Sequence, residues 1–446
     1  MKEIILELIN ESPVNVGKLH DLLAQMNTVD IAEIFEHLSN EKALQVFRIL
    51  PKSMAADVFS YIEPHNQQTL VAAMSDDEIG KILDELFVDD AVDFIEEMPA
   101  NAIKRLLQNI GEDKRQLINQ FLQYPPDSAG GIMSAEYVDL REDLTVREAF
   151  DYIRKNKTHD IYTCYVVRRD KLLTGSVSLK TLLLAKQHEK IGDLMETKVV
   201  FAHTLDDQEK AAELFRKYSL LYLPVVDKEQ RLVGIITADD VVTVMEEEAT
   251  EDFEKMAAIY PSEKPYLKTG VLTHSRNRIV WLLILMLSAT ITGAIIAGFE
   301  SSLAVLPVLM TFVPMLMDTS GNAGCQTSTL VIRGMALGEI GFHDVFKVLW
   351  LELRVALLCG TGLAAVNFLR VMLTSKGNAM LSFTISITLI AVVIMAKSIA
   401  CILPILAKKL KLDPAVLAGP IVTTILDGTS LLIYFSFARL LLKIQA

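Results

Sequence analysis

Residues 414–443 read PAVLAGPIVTTILDGTSLLIYFSFARLLLK. The run is apolar for longer than the ~20 residues a helix needs to cross a bilayer. It nevertheless carries one carboxylate, Asp427, near its middle. A charge at the centre of a span costs about 2.5–3.5 kcal/mol even on a lenient insertion scale, so such residues face a water-filled path or a partner. Two readings stay open at this point. Asp427 meets a cargo, which must then be a cation, or it is paired with a basic side chain of another helix, such as Lys397.

Four more apolar runs precede this stretch, at residues 279–299, 303–317, 349–369 and 381–406. The first has 21 residues and no charge, the second carries Pro307 and Pro314, the third opens with Glu352 and Arg354, and the fourth holds Lys397. An all-α domain of five spans over residues 276–446 is expected. Arg276 and Arg278 precede the first span, and the loop after it has no Lys or Arg. The loop after the second holds Arg333 and Lys347, and the loop after the fourth holds Lys408, Lys409 and Lys411. Basic loops stay cytosolic, which places the preceding residues inside the cell and the C-terminus outside. Arg370 and Lys376, after the third span, run against this count.

The second span leads into MLMDTSGNAGCQTSTLVIRG, residues 315–334. Glycines, Asn322, Gln326 and hydroxyls at membrane depth suit irregular backbone that is buried or lines a water path. Asp318 and Asn322 are candidate path-lining residues. Pro420, two turns before Asp427, is a third, because a proline inside a helix would free carbonyls there.

The chain has 446 residues, 51% of them hydrophobic, with a mean hydropathy of +0.34. Residues 271–446 hold 13 Lys+Arg and 7 Asp+Glu, whereas residues 1–270 hold 30 and 49, a net charge of −19. An acidic half of this kind argues against nucleic acid and against docking on anionic lipid, and it suits metal cations. Cys164, Cys325, Cys359 and Cys401 are scattered, with no zinc or disulfide spacing. The N-terminal MKEIILELIN mixes charges and has too short an apolar run for a signal peptide. The first span is expected to act as the insertion signal.

Residues 1–125 read as short helices. Apolar residues recur at three and four in IAEIFEHL, ALQVFRIL and AADVFSYI, in units of roughly twelve, with Pro51, Pro64 and Pro99 at the expected turns. Such helices bury a shared core only as an array, so a superhelical N domain is expected. Its later part carries DDEIGKILDELFVDDAVDFIEE, residues 76–97, in which Asp89, Asp90 and Asp93 share roughly one face. They are candidate metal ligands or a solvated surface.

Tyr124-Pro-Pro126 ends the helices, and a second internal repeat follows over residues 126–245. Each copy reads strand, helix, strand, turn, strand, helix. Gly175 matches Gly234, Ser178 matches Thr237, and Thr181 matches Asp240. This α/β pattern resembles a tandem pair of CBS domains. Such pairs often bind adenine nucleotides through an Asp three residues after a Ser or Thr. The second copy keeps that spacing at Thr237 and Asp240, and the first has Thr181 instead. One nucleotide site at most is implied, and a purely structural pair is the alternative.

Residues 246–275 should be a linking helix, broken near Pro261 and Pro265. Glu247, Glu248, Glu251 and Asp252 crowd its first turns. Like charges three and four apart destabilise a helix, so a basic partner, a metal or water must offset them.

The domain order, SGNAGCQTSTLVIR and LDPAVLAGPIVTTILDGTSLLIYFSFARLLL together resemble the MgtE family of magnesium channels over nearly the whole length. The resemblance implies a homodimer in the cell membrane with a pore on the two-fold axis, lined by Asp427 from each subunit against hydrated Mg²⁺. It implies that the cytosolic domains bind Mg²⁺ and close the pore through the linking (plug) helix. The acids implied are Asp89, Asp90 and Asp93, Asp240 in the CBS pair, and Glu248, Glu251 and Asp252 on the linking helix. It further implies ATP on the CBS pair of some members. Some members have Asn where this chain has Cys325 and Gly419, so neither is carried over as a ligand.

Mg²⁺ holds its waters reluctantly and is bound through few carboxylates, and a pore with one Asp per subunit can hold and release a hydrated ion. A Mg²⁺ channel gated by cytosolic Mg²⁺ is the leading expectation, with membrane lipid, Mg²⁺ and a second copy as its partners. A coupled carrier for divalent ions is the nearest alternative, and a non-conducting membrane sensor a further one. No Walker motif, H-E-x-x-H or nucleophile elbow occurs, so no enzymatic activity is expected.

Overall fold

A computed structural model describes residues 2–10, 15–156, 161–262, 266–267, 269–374, 378–417 and 419–444. Pro265 and Lys376 lie outside the described residues. The chain forms two compact units, Met1–Met245 and Glu246–Ala446.

The first unit opens with ten helices: α1 (Lys2–Asn10), α2 (Val16–Leu23), α3 (Thr28–Phe35), α4 (Asn40–Ile49), α5 (Lys52–Tyr61), α6 (Pro64–Ala73), α7 (Asp76–Glu85), α8 (Val88–Glu96), α9 (Ala100–Gln108) and α10 (Glu112–Phe121). From α2 onward each helix starts twelve residues after the one before. Helices too short to be stable alone gain their stability from packing. Here α3 packs on α5, α4 on α6, α5 on α7 and α7 on α9, the nearest-neighbour arrangement of a solenoid. Phe35, Phe47 and Phe59 recur at the same twelve-residue step. Their rings meet edge to face at 6.2 and 6.0 Å, and Phe94 continues the row at 5.1 Å.

Two three-stranded sheets follow. The first has β1 (Asp139–Arg141), β2 (Thr163–Val167) and β3 (Leu173–Ser178), in that order, with α11 (Val146–Asn156), α12 (Leu179–Leu184) and α13 (Ile191–Leu194). The second has β4 (Ala202–His203), β5 (Tyr222–Val226) and β6 (Leu232–Thr237), with α14 (Gln208–Tyr218) and α15 (Ala238–Met256). In each sheet the first pair is parallel and the second antiparallel. The copies exchange their leading segments: Ser134 bridges Ile235, and Glu196 bridges Ser176. That exchange explains the paired glycines. A Cβ on Gly175 would stand 2.6 Å from Met195 Sδ, and one on Gly234 2.7 Å from Met133 Sδ.

The second unit holds α16 (Val271–Gly298), α17 (Glu300–Val305), a 3₁₀ turn Pro307–Phe312, α18 (Val313–Ala336), α19 (Val345–Thr374), α20 (Ala379–Lys409) and α21 (Pro420–Leu441). Among the described residues four helical segments are long and apolar enough to cross a membrane: Val271–Gly298, Phe342–Thr374, Ala379–Lys409 and Ala415–Leu441. α18 packs on α20 and α21, α19 on α20, and α16 on α21.

Three sequence expectations need correction. Residues 303–317 are not one span: the chain makes α17, the 3₁₀ turn at Pro307 and the start of α18, because Pro307 and Pro314 each sit at a helix start. The polar motif after them is continuous helix rather than irregular backbone. Three of its hydroxyls bond back into the helix, Thr319 donating to the Met315 carbonyl at 2.7 Å, Ser320 to that of Met317 at 2.9 Å and Ser328 to that of Cys325 at 3.2 Å. The linking helix has no start of its own at 246. It is the last CBS helix, α15, run on to Met256, and it ends before Pro261 where Ala258 takes a left-handed φ of +54°.

Candidate cation path and acidic clusters

α18 has two unlike faces. Ser320, Gly321, Ala323, Gly324, Thr327 and Ser328 are buried, and small residues there let neighbouring helices approach. A Cβ on Gly324 would collide with Leu426 of α21, and one on Gly321 would stand 3.3 Å from Thr423. The other face carries Asp318, Asn322, Gln326 and Thr329, all exposed, at the three- and four-residue spacing of a single helical stripe.

Asp427 is half-buried on α21, the helix against this one. Among the described residues it makes no ion pair. Lys397 is not its partner: Lys397 Nζ lies 3.3 Å from Glu352 Oε2 and 2.9 Å from Thr327 Oγ1. The charge near Asp427 is that of Asp318, of like sign. Among the described residues no basic side chain neutralises this pair, and like charges of this kind attract cations. Pro420 is the first residue of α21, so it interrupts no helix. Its carbonyl is no free ligand, because Thr423 and Thr424 each donate to it at 2.9 Å. Gly419 caps this helix at φ +51°, and Cys325 is half-buried on α18.

A second set of acids lies in the first unit. Asp89 and Asp90 open α8, where a helix N-terminus tolerates negative charge. Asp240 opens α15, and its carboxylate accepts from the Thr237 hydroxyl at 2.5 Å and the Thr237 backbone N–H at 3.3 Å. Asp89, Asp90 and Asp240 are brought together, joined by Glu136, Asp57 and Asp239. Ser134 Oγ donates to Glu136 at 2.7 Å and lies 3.2 Å from Asp89 Oδ1. Burial, then the charge of Asp90, pushes the Asp89 carboxyl well above the usual range. Burial, then the charge of Asp240, pushes Asp90 up to about 6. Burial also raises Asp240. Asp93, one turn on, is exposed. Lys114 stands at the edge of the cluster, its own pKa lowered by burial, and donates to the carbonyls of Asp84 and Leu86.

On the linking part of α15 the compensating cation is built in. Lys255 Nζ lies 2.6 Å from Glu251 and 2.7 Å from Asp413, which precedes α21. Burial works against the Lys255 charge, and the bonds to Asp413 and Glu251 overcome it and raise its pKa. Asp252 beside them is raised by burial and by Asp413. Glu248 is half-buried one turn earlier.

Among the described residues no three His, Cys, Asp or Glu side chains form a ready-made metal shell. Thr237 and Asp240, the pair spaced for a nucleotide, stand among the acids around Asp90. A cleft of ≈ 520 Å³ is lined by Tyr162, Leu183 and Leu184 of the first copy and Leu221 of the second, with Ser178 and Lys180 as polar groups.

Sequence reasoning did not single out Glu136, Asp57, Asp239 or Asp413: Asp239 adjoins the chosen Asp240, and the other three are single acids in an ordinary context. Opposite charges inside two spans, Glu352 and Lys397, were the visible signal for the buried pair.

Residues 26–127 match the MgtE intracellular N domain, residues 129–188 and 191–247 match CBS domains, and residues 313–437 match a divalent cation transporter model. The magnesium transporter MgtE of Thermus thermophilus is 36% identical over 431 residues, 95% of each chain. That of Bacillus subtilis is 31% identical over 427 residues, covering 95% of this chain and 94% of its own. Among solved structures, the cytosolic domain of the Mg²⁺ channel MgtE in complex with ATP is 32% identical. It superposes with a TM-score of 0.52, covering 55% of this chain and all of that one.

Proposed function

The chain belongs to the MgtE family of magnesium transporters, and from that premise we propose that it is a Mg²⁺ channel whose path runs past Asp427 and closes when Mg²⁺ binds its acidic cytosolic domains. The observation that carries the reading is Asp427 itself: a carboxylate inside an apolar bundle, beside Asp318, with its one suspected partner engaged elsewhere. The polar stripe of α18 supports it, since Asp318, Asn322 and Gln326 cannot face lipid. A second copy meeting this face across a two-fold axis would enclose the path, with α18 as the fifth span. Basic loops put the N-terminal domains in the cytosol and the C-terminus outside.

Conduction needs a site strong enough to admit the ion and weak enough to release it. One Asp427 per subunit, acting through the ion's water shell, meets that need. Closure is a population shift, driven by tighter Mg²⁺ binding in the closed state. Asp89, Asp90 and Asp240, with Glu136, Asp57 and Asp239, supply the binding in the first unit, and Glu248, Glu251, Asp252 and Asp413 supply it along α15. The relative's ATP complex supports an adenine nucleotide on the CBS pair, with Thr237 and Asp240 or the cleft of Tyr162, Ser178 and Lys180 as its place.

Patch-clamp recording on the reconstituted protein tests pore and gate together. Currents should fall as cytosolic Mg²⁺ rises from micromolar to millimolar, and Asp427→Ala should abolish them. Uptake into vesicles without current would favour a coupled carrier, and neither would refute transport through this path.

A further inference from the structure

The stripe on α18 faces outward at only one rotation of that helix. A half-turn would bury Asp318, Asn322 and Gln326 and turn Thr327, Ser328 and the glycines outward. In lipid the apolar effect chooses weakly between such rotations, because the tails are as apolar as the side chains. A directional contact on the buried face can make the choice.

That contact is present. Thr327, fully buried on α18, donates to Glu352 Oε2 of α19 at 2.9 Å. Lys397 of α20 reaches both, with its Nζ 2.9 Å from Thr327 Oγ1 and 3.3 Å from Glu352 Oε2. Lys397 is 5% exposed and Glu352 8%. The three groups close a triangle across three helices, at the residue that follows Gln326. Stability alone explains it badly, since a buried ion pair is often no better than apolar residues of the same volume. Registry is the best-attested use of such a pair.

We propose that Thr327, Glu352 and Lys397 form a positioning network that sets the rotation of α18 and so presents Asp318, Asn322 and Gln326 to the cation path. The inference rests on the path proposed above. None of the three touches the ion, and they act through the helix they hold.

The test measures Mg²⁺ flux and Mg²⁺/Ca²⁺ discrimination in proteoliposomes beside thermal stability. Lys397→Met and Glu352→Met alone should destabilise the protein, each leaving a buried charge unpaired. The double substitution should melt near the parent protein, yet lose flux or discrimination at least tenfold. A double variant as stable as the parent, with unchanged flux and discrimination, overturns the proposal. If the double variant does not fold, Thr327→Val decides, because it removes one hydroxyl only. It should lower flux or discrimination at unchanged stability, and Thr327→Ser should restore both. Flux unaffected by Thr327→Val overturns the proposal. Asp427→Asn is run alongside: if it transports like the parent, the path assignment has failed, whatever the network variants do.

Discussion

At Asp90, charge and burial pull against each other in a way that pH can expose. Burial and neighbouring carboxylates carry its pKa from 3.8 to about 6. A raised carboxyl pKa means that the folded state binds the proton more tightly than the unfolded chain. The stabilisation is complete below 3.8 and is lost as pH rises through about 6. Two units correspond to about 3 kcal/mol at most, and less where water reaches the carboxylate. Asp89 adds in the same direction. Glu78 works oppositely, held at about 2 by its bonds to Ser75 and Arg48, but its window closes below pH 4.5. Metal-free protein should therefore melt higher at pH 5.5 than at 7.5, and Asp90→Asn should raise the melting temperature at pH 7.5 and flatten the difference. A melting temperature that falls on acidification from 7.5 to 5.5 would show that these acids do not repel each other as described.

At the scale of elements, α15 and α21 meet at a glycine. Gly419 sits at φ +51°, and a Cβ there would collide with the Met256 carbonyl at the end of α15. An alanine would add strain of about 1 kcal/mol for the left-handed backbone and would push the end of α15 away. If α15 is the closing element, Gly419→Ala should keep transport but require more cytosolic Mg²⁺ for half-closure. Unchanged half-closure would mean that this contact does not gate. The element boundaries also show what the sequence makes legible. The twelve-residue repeat, the two CBS copies and the last three apolar helices follow from periodicity and composition. α18 does not, because its glycines and hydroxyls look like a loop until its packing against Thr423 and Leu426 is known. Asp427 is legible as a lone charge in a long apolar run. The acids around Asp90 are not, because Asp57, Asp90 and Glu136 converge only through the packing of separate elements.

Over the whole molecule, charge has a diffuse part and a site-bound part, and the two respond to different ions. Residues 1–270 carry a net −19, and most of that charge is on the surface, where monovalent salt screens it over a Debye length of about 8 Å at 0.15 M. Asp89, Asp90, Glu136 and Asp240 are partly buried and are screened far less. Sodium chloride at about 0.5 M should relax the first part and leave the second. Millimolar Mg²⁺ should act on both, because a hydrated divalent ion can sit among the carboxylates. Limited proteolysis of the full-length protein in nanodiscs separates them. Mg²⁺ should slow cleavage within residues 1–245 strongly and NaCl only slightly. In Asp90→Asn the NaCl effect should persist while most of the Mg²⁺ effect disappears. Equal protection by both salts in the parent protein would mean that Mg²⁺ acts by screening alone, and a gate built on site-bound Mg²⁺ in this unit would then have to be abandoned.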